Sequence, residues 1–224
     1  MDISPDKQNI DKVFSNTQYY IDFYQREYKW TQEPVKRLLD DIFYKFNEVY
    51  QQNSSLPPDE QVIDSKYPWY YLNTYVTNTI DGRVYVVDGQ QRLTTLTLIL
   101  LNLYHKAIAN KSELSDWVKS KIFGQSGYKK TFWMRHEAHL LTLEALFEEQ
   151  IDEAPTNSGL TAENMVKNYK VVKSWLEQNI DEKHQLETFI FYFLHLQQKN
   201  RSLRLATVFA LFDCVLTLMV NNGC

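Results

Sequence analysis

Val84-Tyr85-Val86-Val87-Asp88-Gly89-Gln90-Gln91-Arg92-Leu93-Thr94-Thr95-Leu96 decides the reading of this chain. A short β-branched run ends in Asp-Gly, and polar residues then open a long apolar segment. That pattern is a strand, a tight turn and a helix N-terminus. The first turn of a helix carries free N–H groups and the positive end of the helix dipole, so it is a ready anion site. Gly89 reaches backbone angles closed to other residues and lets a ligand approach the main chain. The turn is therefore a candidate phosphate-binding site.

Its side chains each have two readings. Arg92 opposes the helix dipole at a cost of roughly 0.3–1 kcal/mol, and a bound phosphate reverses that sign; the alternative is a pair with Asp88 or a nearby carboxylate. Asp88 either holds Mg²⁺ through water beside substrate phosphates or fixes the turn with an Asx-type hydrogen bond. Gln90 and Gln91 have amides suited to orienting an attacking water or bonding phosphate oxygens; glutamine is no base at neutral pH, so their catalytic role is positioning. Thr94 and Thr95 lie in the first turns of the helix, where one donates to phosphate or both bond back to the helix backbone.

Outward from this stretch, Trp69–Thr79 is aromatic and β-branched and reads as a strand, joined to Val84–Val87 through the hairpin turn Ile80-Asp81-Gly82-Arg83. The helix after Gly89 is apolar nearly all round, which predicts burial; it is shorter than the ~18 unbroken apolar residues of a membrane span. Upstream, Ile10, Val13 and Phe14 suggest a short helix and Gln18–Phe23 a strand. A polar-aromatic loop, Tyr24-Gln25-Arg26-Glu27-Tyr28-Lys29-Trp30, follows. Thr31 is placed to cap an amphipathic helix over about 32–50, and Gln51–Asp64 reads as a loop. Downstream, Lys129–Arg135 includes a short strand, and a helix runs from about Ala138 to Glu149. Ile151–Gly159 is a linker, Thr161 caps a helix with Met165, Tyr169, Val172 and Leu176 on its inner face, and Glu182–Gln198 forms another. Ala206–Val220 reads as a buried helix.

The formal net charge of −4 argues against a wholly basic nucleic-acid binder but leaves room for a local basic face. Lys106 to Arg135 is such a stretch, with basic residues outnumbering acidic ones. The two cysteines, Cys214 and Cys224, have no Cys/His ligand spacing around them, so no zinc site or disulfide framework is expected. The histidines stand outside any motif and read as surface or satisfied core residues. The N-terminus lacks a basic region followed by an apolar core, which makes the cytoplasm the expected compartment and gives no membrane association. The fold class expected is α+β: a small mixed sheet with helices over residues 1–110, then a mostly helical half over 111–224, packed on the core.

Two motifs together resemble a known family. Tyr24-Gln25-Arg26-Glu27-Tyr28-Lys29-Trp30 is similar to its first motif, a Tyr/Phe-Gln-Arg-x-Tyr-x-Trp loop after a strand, and Asp88-Gly89-Gln90-Gln91-Arg92-Leu93-Thr94-Thr95-Leu96 matches its second almost letter for letter. The family is the N-terminal domain of GmrSD-type, modification-dependent restriction systems, similar in its core to the ParB and sulfiredoxin fold. Asn168-Tyr169 resembles a third, weaker feature, and the resemblance spans roughly residues 10–180. It implies nucleoside triphosphate binding and hydrolysis with Mg²⁺ in anti-phage defence, with DNA as a partner and a separate His-Asn-His-type domain or subunit as the nuclease. Carried onto this chain, Asp88, Gln90 and Gln91 are the expected catalytic residues. Gly89, Arg92, Thr94, Gln25, Arg26 and Tyr24 are the expected nucleotide and phosphate ligands, with Asp88 reaching the metal through water. Gln25 and Arg26 complete the cleft or form a structural polar loop. The rival readings are a DNA-binding or modification-sensing module without turnover, using Lys106–Arg135 and the aromatic loop, and a truncated inactive relic. The chain departs from the family at Leu72-Asn73-Thr74-Tyr75, where members commonly have Leu-Gly-Ser/Thr, and after about Gln197. It contains no His-Asn-His motif, so it is not expected to cut DNA alone.

Overall fold

The computed structural model describes residues 3–21, 27–68, 70–126 and 129–203. In chain order, β1 (Ile3–Asn9) runs into a single-turn helix α1 (Ile10–Val13), then β2 (Tyr19–Ile21), α2 (Gln32–Asn53) and α3 (Glu60–Lys66). The hairpin of β3 (Tyr71–Ile80) and β4 (Arg83–Asp88) leads into α4 (Gln90–Ala109) and α5 (Ser115–Ser120). After these come β5 (Phe123–Ser126), β6 (Lys129–Phe132), β7 (Met134–His136), α6 (Leu140–Phe147), α7 (Leu160–Asn179), α8 (Lys183–His195) and β8 (Gln197–Leu203). The fold is the expected mixed α+β. One sheet has the order β1-β8-β3-β4-β2-β7, and β5 and β6 pair as a separate ribbon.

The sheet takes strands from both halves of the chain. β2 runs parallel to β4 and to β7, while β3 is antiparallel to β4. β8 lies between β1 and β3, antiparallel to the first and parallel to the second. Gln197–Leu203 is thus an interior strand, where the sequence read a helix to Gln198 and an unfamiliar tail. The helix stops at His195, and Leu196 takes an extended ψ that turns the chain into the sheet. Neither β1 nor β8 carries an alternating apolar pattern, so neither announces itself.

Two further expectations change in detail. The loop expected at Gln51–Asp64 contains the end of α2 and most of α3, because Asp59 accepts from the Val62 N–H as an N-cap and Ile63 is buried. Thr161 does not cap α7; Gly159 does, and Thr161 serves the site described below. The segment Ala206–Val220 lies outside the described residues, as does Trp69.

As predicted, α4 is buried almost throughout, and it packs against α5, α7 and α8. A second packing centre is aromatic: Phe46 stacks on Tyr50 and Tyr67 and meets Phe189 edge-on at 5.1 Å. On the sheet, the Tyr19 and Tyr75 rings cross edge-to-face at 5.8 Å and share a hydrogen bond of 3.1 Å.

The turn between β4 and α4 is where the packing is tightest. Gly89 has φ +91°, and a Cβ there would stand 2.6 Å from the Tyr75 Cβ and 3.1 Å from its Cα. Glycine is needed because β3 crosses directly against the turn, which brings the Thr74–Tyr75 backbone beside the first turn of α4. Gly89→Ala therefore combines left-handed backbone strain with an overlap that rigid backbone cannot relieve. It should lower the unfolding free energy by at least ~2 kcal/mol, read as a shift in the urea midpoint.

Candidate anion-binding site at the carboxyl edge of the sheet

β4, β2 and β7 are parallel neighbours, with Tyr19 level with Val84 and Ile21 level with His136. They end side by side, so the segments after them converge on one edge of the sheet. Those segments are Asp88–Arg92, the loop ending in Glu27–Trp30, and the 3₁₀ turn Glu137–His139. Ligands of open sheets bind outside the carboxyl ends of parallel strands. Tyr24, Gln25 and Arg26 lie outside the described residues.

Glu27–Trp30 belongs to no helix or strand, so side chains must satisfy its backbone. Gln91 does this from α4: its Oε1 accepts from the N–H groups of Lys29 (2.7 Å) and Trp30 (3.1 Å), and its Nε2 donates to the Glu27 carbonyl (2.8 Å). α7 supplies the other half. Thr161 Oγ1 accepts from the Tyr28 N–H, Asn164 donates to the Tyr28 carbonyl, and Asn168 donates to the Trp30 carbonyl and the Tyr28 hydroxyl. That hydroxyl also bonds Thr95 Oγ1 at 2.8 Å, and burial pushes the Tyr28 phenol up to about 12. Thr95 in turn donates to the Gln91 carbonyl, the back-bond anticipated for it. The described part of the first motif, Glu27–Trp30, is thereby clamped between the second motif and α7.

Gln90 and Gln91, expected to act on water or phosphate, both have their amides engaged by main chain. Gln90 is buried and donates to the Val86 carbonyl, tying the helix start to β4. Thr94, expected to reach phosphate, is buried and shares a hydrogen bond of 2.9 Å with His136 Nε2. Burial, and to a lesser extent His139, holds the His136 imidazolium down to about 3, so the ring is neutral at physiological pH. His139 is held by Ser158 Oγ at 2.9 Å and is also pushed down by burial, with Glu27 opposing.

Two charged groups of the turn are left toward solvent. Arg92 is half-buried at the third residue of α4, and its one hydrogen bond among the described residues runs to the Thr74 carbonyl at 3.3 Å. No carboxylate pairs with it there. Burial lowers its pKa, against the opposing fields of Asp88 and, more weakly, Tyr71 and Tyr70. Asp88 is exposed at the end of β4 and acts on Arg92 without forming an ion pair. The departure at Asn73 is accommodated: its φ is +91°, the left-handed region a glycine would occupy, and its Oδ1 accepts from the Thr74 N–H at 2.7 Å. The strand thus still presents the Thr74 carbonyl to Arg92.

Two members of the basic stretch expected to face nucleic acid are engaged by the protein itself. Lys121 is buried in a 2.7 Å ion pair with Asp11, and Lys119 lies over the rings of Tyr104 and Phe147. Among the described residues no group of three or more His, Cys, Asp and Glu is placed to hold a metal ion, and no helix is long and apolar enough to cross a membrane. Asn164 and His136 are site residues that the sequence reading left without a role, while Thr161 was expected only as a cap and Tyr28 only as part of the aromatic loop. Asn164 and Asn168, one helical turn apart on a single face, were the available signal.

The fold and this edge define an α+β domain whose parallel strands end beside a helix N-terminal arginine that forms no ion pair among the described residues. Residues 10–213 match the family model of the GmrSD restriction endonuclease N-terminal domain, and the chain belongs to that family. The match extends past Gln197, in keeping with β8 as an interior strand. Membership sets the chain in the context of a restriction or anti-phage defence system. Comparison with curated proteins finds no match.

Two measurements check the clamp and the buried histidine. Tyr28→Phe removes a hydroxyl shared by Thr95 and Asn168 and should cost ~1–3 kcal/mol in urea unfolding. For His136 the folded pKa lies below the unfolded value of about 6.5, so its contribution is full above pH 6.5 and is lost as pH falls toward 3. Stability should decline by about 1 kcal/mol per pH unit below pH 6, and His136→Asn should flatten that slope.

Proposed function

We propose that this domain binds a nucleoside triphosphate with Mg²⁺ at the Asp88–Arg92 turn and hydrolyses it in the service of restriction. The observation that carries the reading is Arg92, a half-buried guanidinium with one carbonyl partner and no carboxylate partner among the described residues, at the positive end of a 20-residue helix. Two like-signed features converge there, and an anion relieves both. The backbone N–H groups of Gln90, Gln91 and Arg92 open the first turn and have no partner among the described residues, which leaves them for phosphate oxygens.

The exposed Asp88 carboxylate beside this turn fits a magnesium ion held through water, which would neutralise phosphate charge when bound. Arg92 then stabilises negative charge on the phosphate groups in the manner of an electrostatic catalyst. Gln91 and Gln90 act by holding the first-motif loop and the helix start. Gln25, Arg26 and Tyr24 are assigned to the same cleft on the family pattern. DNA cleavage is left to a His-Asn-His-type nuclease in another domain or subunit.

Calorimetric titration of each of the four nucleoside triphosphates with Mg²⁺ tests the site. Arg92→Ala should weaken the preferred nucleotide at least tenfold, or about 1.4 kcal/mol, with an unchanged circular dichroism spectrum. Equal affinity in the two proteins would overturn the phosphate role. Phosphate release that persists in Asp88→Asn would remove Asp88 from the chemistry.

A further inference from the structure

A second surface lies back along the same strands. Asp88 and Val84 are four residues apart on β4, which separates the two places by about 13 Å. On the face away from the buried Tyr19, Val86 and Met134, register places Arg135 of β7, Tyr20 of β2 and Tyr85 of β4 in one row. The Tyr20 and Tyr85 rings are 5.7 Å apart and half-exposed. Two guanidiniums lie over Tyr20, Arg83 at 5.4 Å and Arg135 at 5.7 Å from the ring centroid. Val87, the next outward position on β4, is 46% exposed.

The row ends at a cavity of about 500 Å³ whose lining includes Asn16, Gln18, Tyr20, Gly124, Thr131 and Trp133. Its walls are fixed. The Trp133 ring packs on Gly124, where a Cβ would stand 2.6 Å from it, and its indole N–H donates to the Ser120 carbonyl at 2.7 Å. Gln18 bonds Thr131 and accepts from the Tyr20 hydroxyl. Arg135 Nε is buried without a hydrogen-bond partner, and its nearest carboxylate oxygen, on Glu137, is 3.6 Å away.

We infer that this face binds a single-stranded or locally unpaired segment of DNA, with an unstacked base entering the Tyr20–Trp133 cavity and Arg83 and Arg135 following the backbone. Flat aromatic walls flanked by two arginines, one of them in a 3.6 Å ion pair with the exposed Glu137, suit a ligand that is both planar and polyanionic, and a nucleotide strand is the polymer with both properties. The cavity is roomy enough for a planar ring system, which a stacked duplex does not present; an extruded base does. This site shares no residue with the triphosphate turn, so it stands or falls independently of that reading.

The test uses the whole chain and a 2-aminopurine-containing single strand with a fluorescein end label, at low salt, beside the matching duplex. Saturable anisotropy with the single strand, quenching of 2-aminopurine and a salt-dependent affinity are expected. Tyr85→Ala should weaken binding roughly 5- to 150-fold, the range for loss of one stacking partner. Arg83→Glu, at a fully exposed position, should weaken it while keeping the wild-type urea midpoint. No saturable binding would overturn the inference. So would duplex and single strand binding equally without quenching, or a folded Arg83→Glu protein that binds as tightly as wild type.

Discussion

The backbone of Glu27–Trp30 has no strand or helix to pair with, yet its Tyr28 is buried at the centre of the molecule. Buried N–H and carbonyl groups without partners would each cost on the order of 1–3 kcal/mol, and here polar side chains from two helices supply those partners. Gln91 takes three bonds from α4, and Thr161, Asn164 and Asn168 take four from α7. The arrangement joins residues far apart in sequence into one unit. It holds the carboxyl edge of β2 against that of β4 and docks α7 on the buried helix. Both family motifs are therefore first of all structural to one another.

That constraint divides the labour within the second motif. Gln90 and Gln91 face protein and are engaged by it, and Thr94 and Thr95 are bonded within the core. Asp88 and Arg92 face outward. A turn of five residues thus carries both the joint that holds the edge together and the charges left open for a ligand. Gly89 lies between them because the backbone of β3 passes within contact distance. The same crossing brings the Thr74 carbonyl to Arg92, and Asn73 preserves it by adopting a left-handed angle that its short polar side chain tolerates.

Much of this was legible in residue order. β-Branched runs bounded by Asp-Gly placed β3, β4 and their hairpin, and a helix apolar nearly all round had to be buried. Local pattern says less about strands that lack alternation. β1 and β8 are polar along their length, and they became strands because each completes the other's ladder across nearly the whole chain. Thr161 looks like a cap in sequence, yet the helix begins one residue earlier and its hydroxyl meets Tyr28. Lys121 looks like part of a basic face and is instead an interior cation paired with Asp11. In each case the deciding partner lies more than a hundred residues away.

The sequence by itself determined the strand-turn-helix, the need for glycine at its bend, the burial of α4 and the kinship carried by two motifs. These follow from backbone sterics and periodicity, which act over a few residues. Tertiary structure alone decided that the glutamines of the motif bind backbone, that Arg92 has no carboxylate among the described residues, and that three parallel strands end at one edge. Hydrogen-bond satisfaction and charge pairing depend on which groups share the same few ångströms, and only the closed fold brings those groups together.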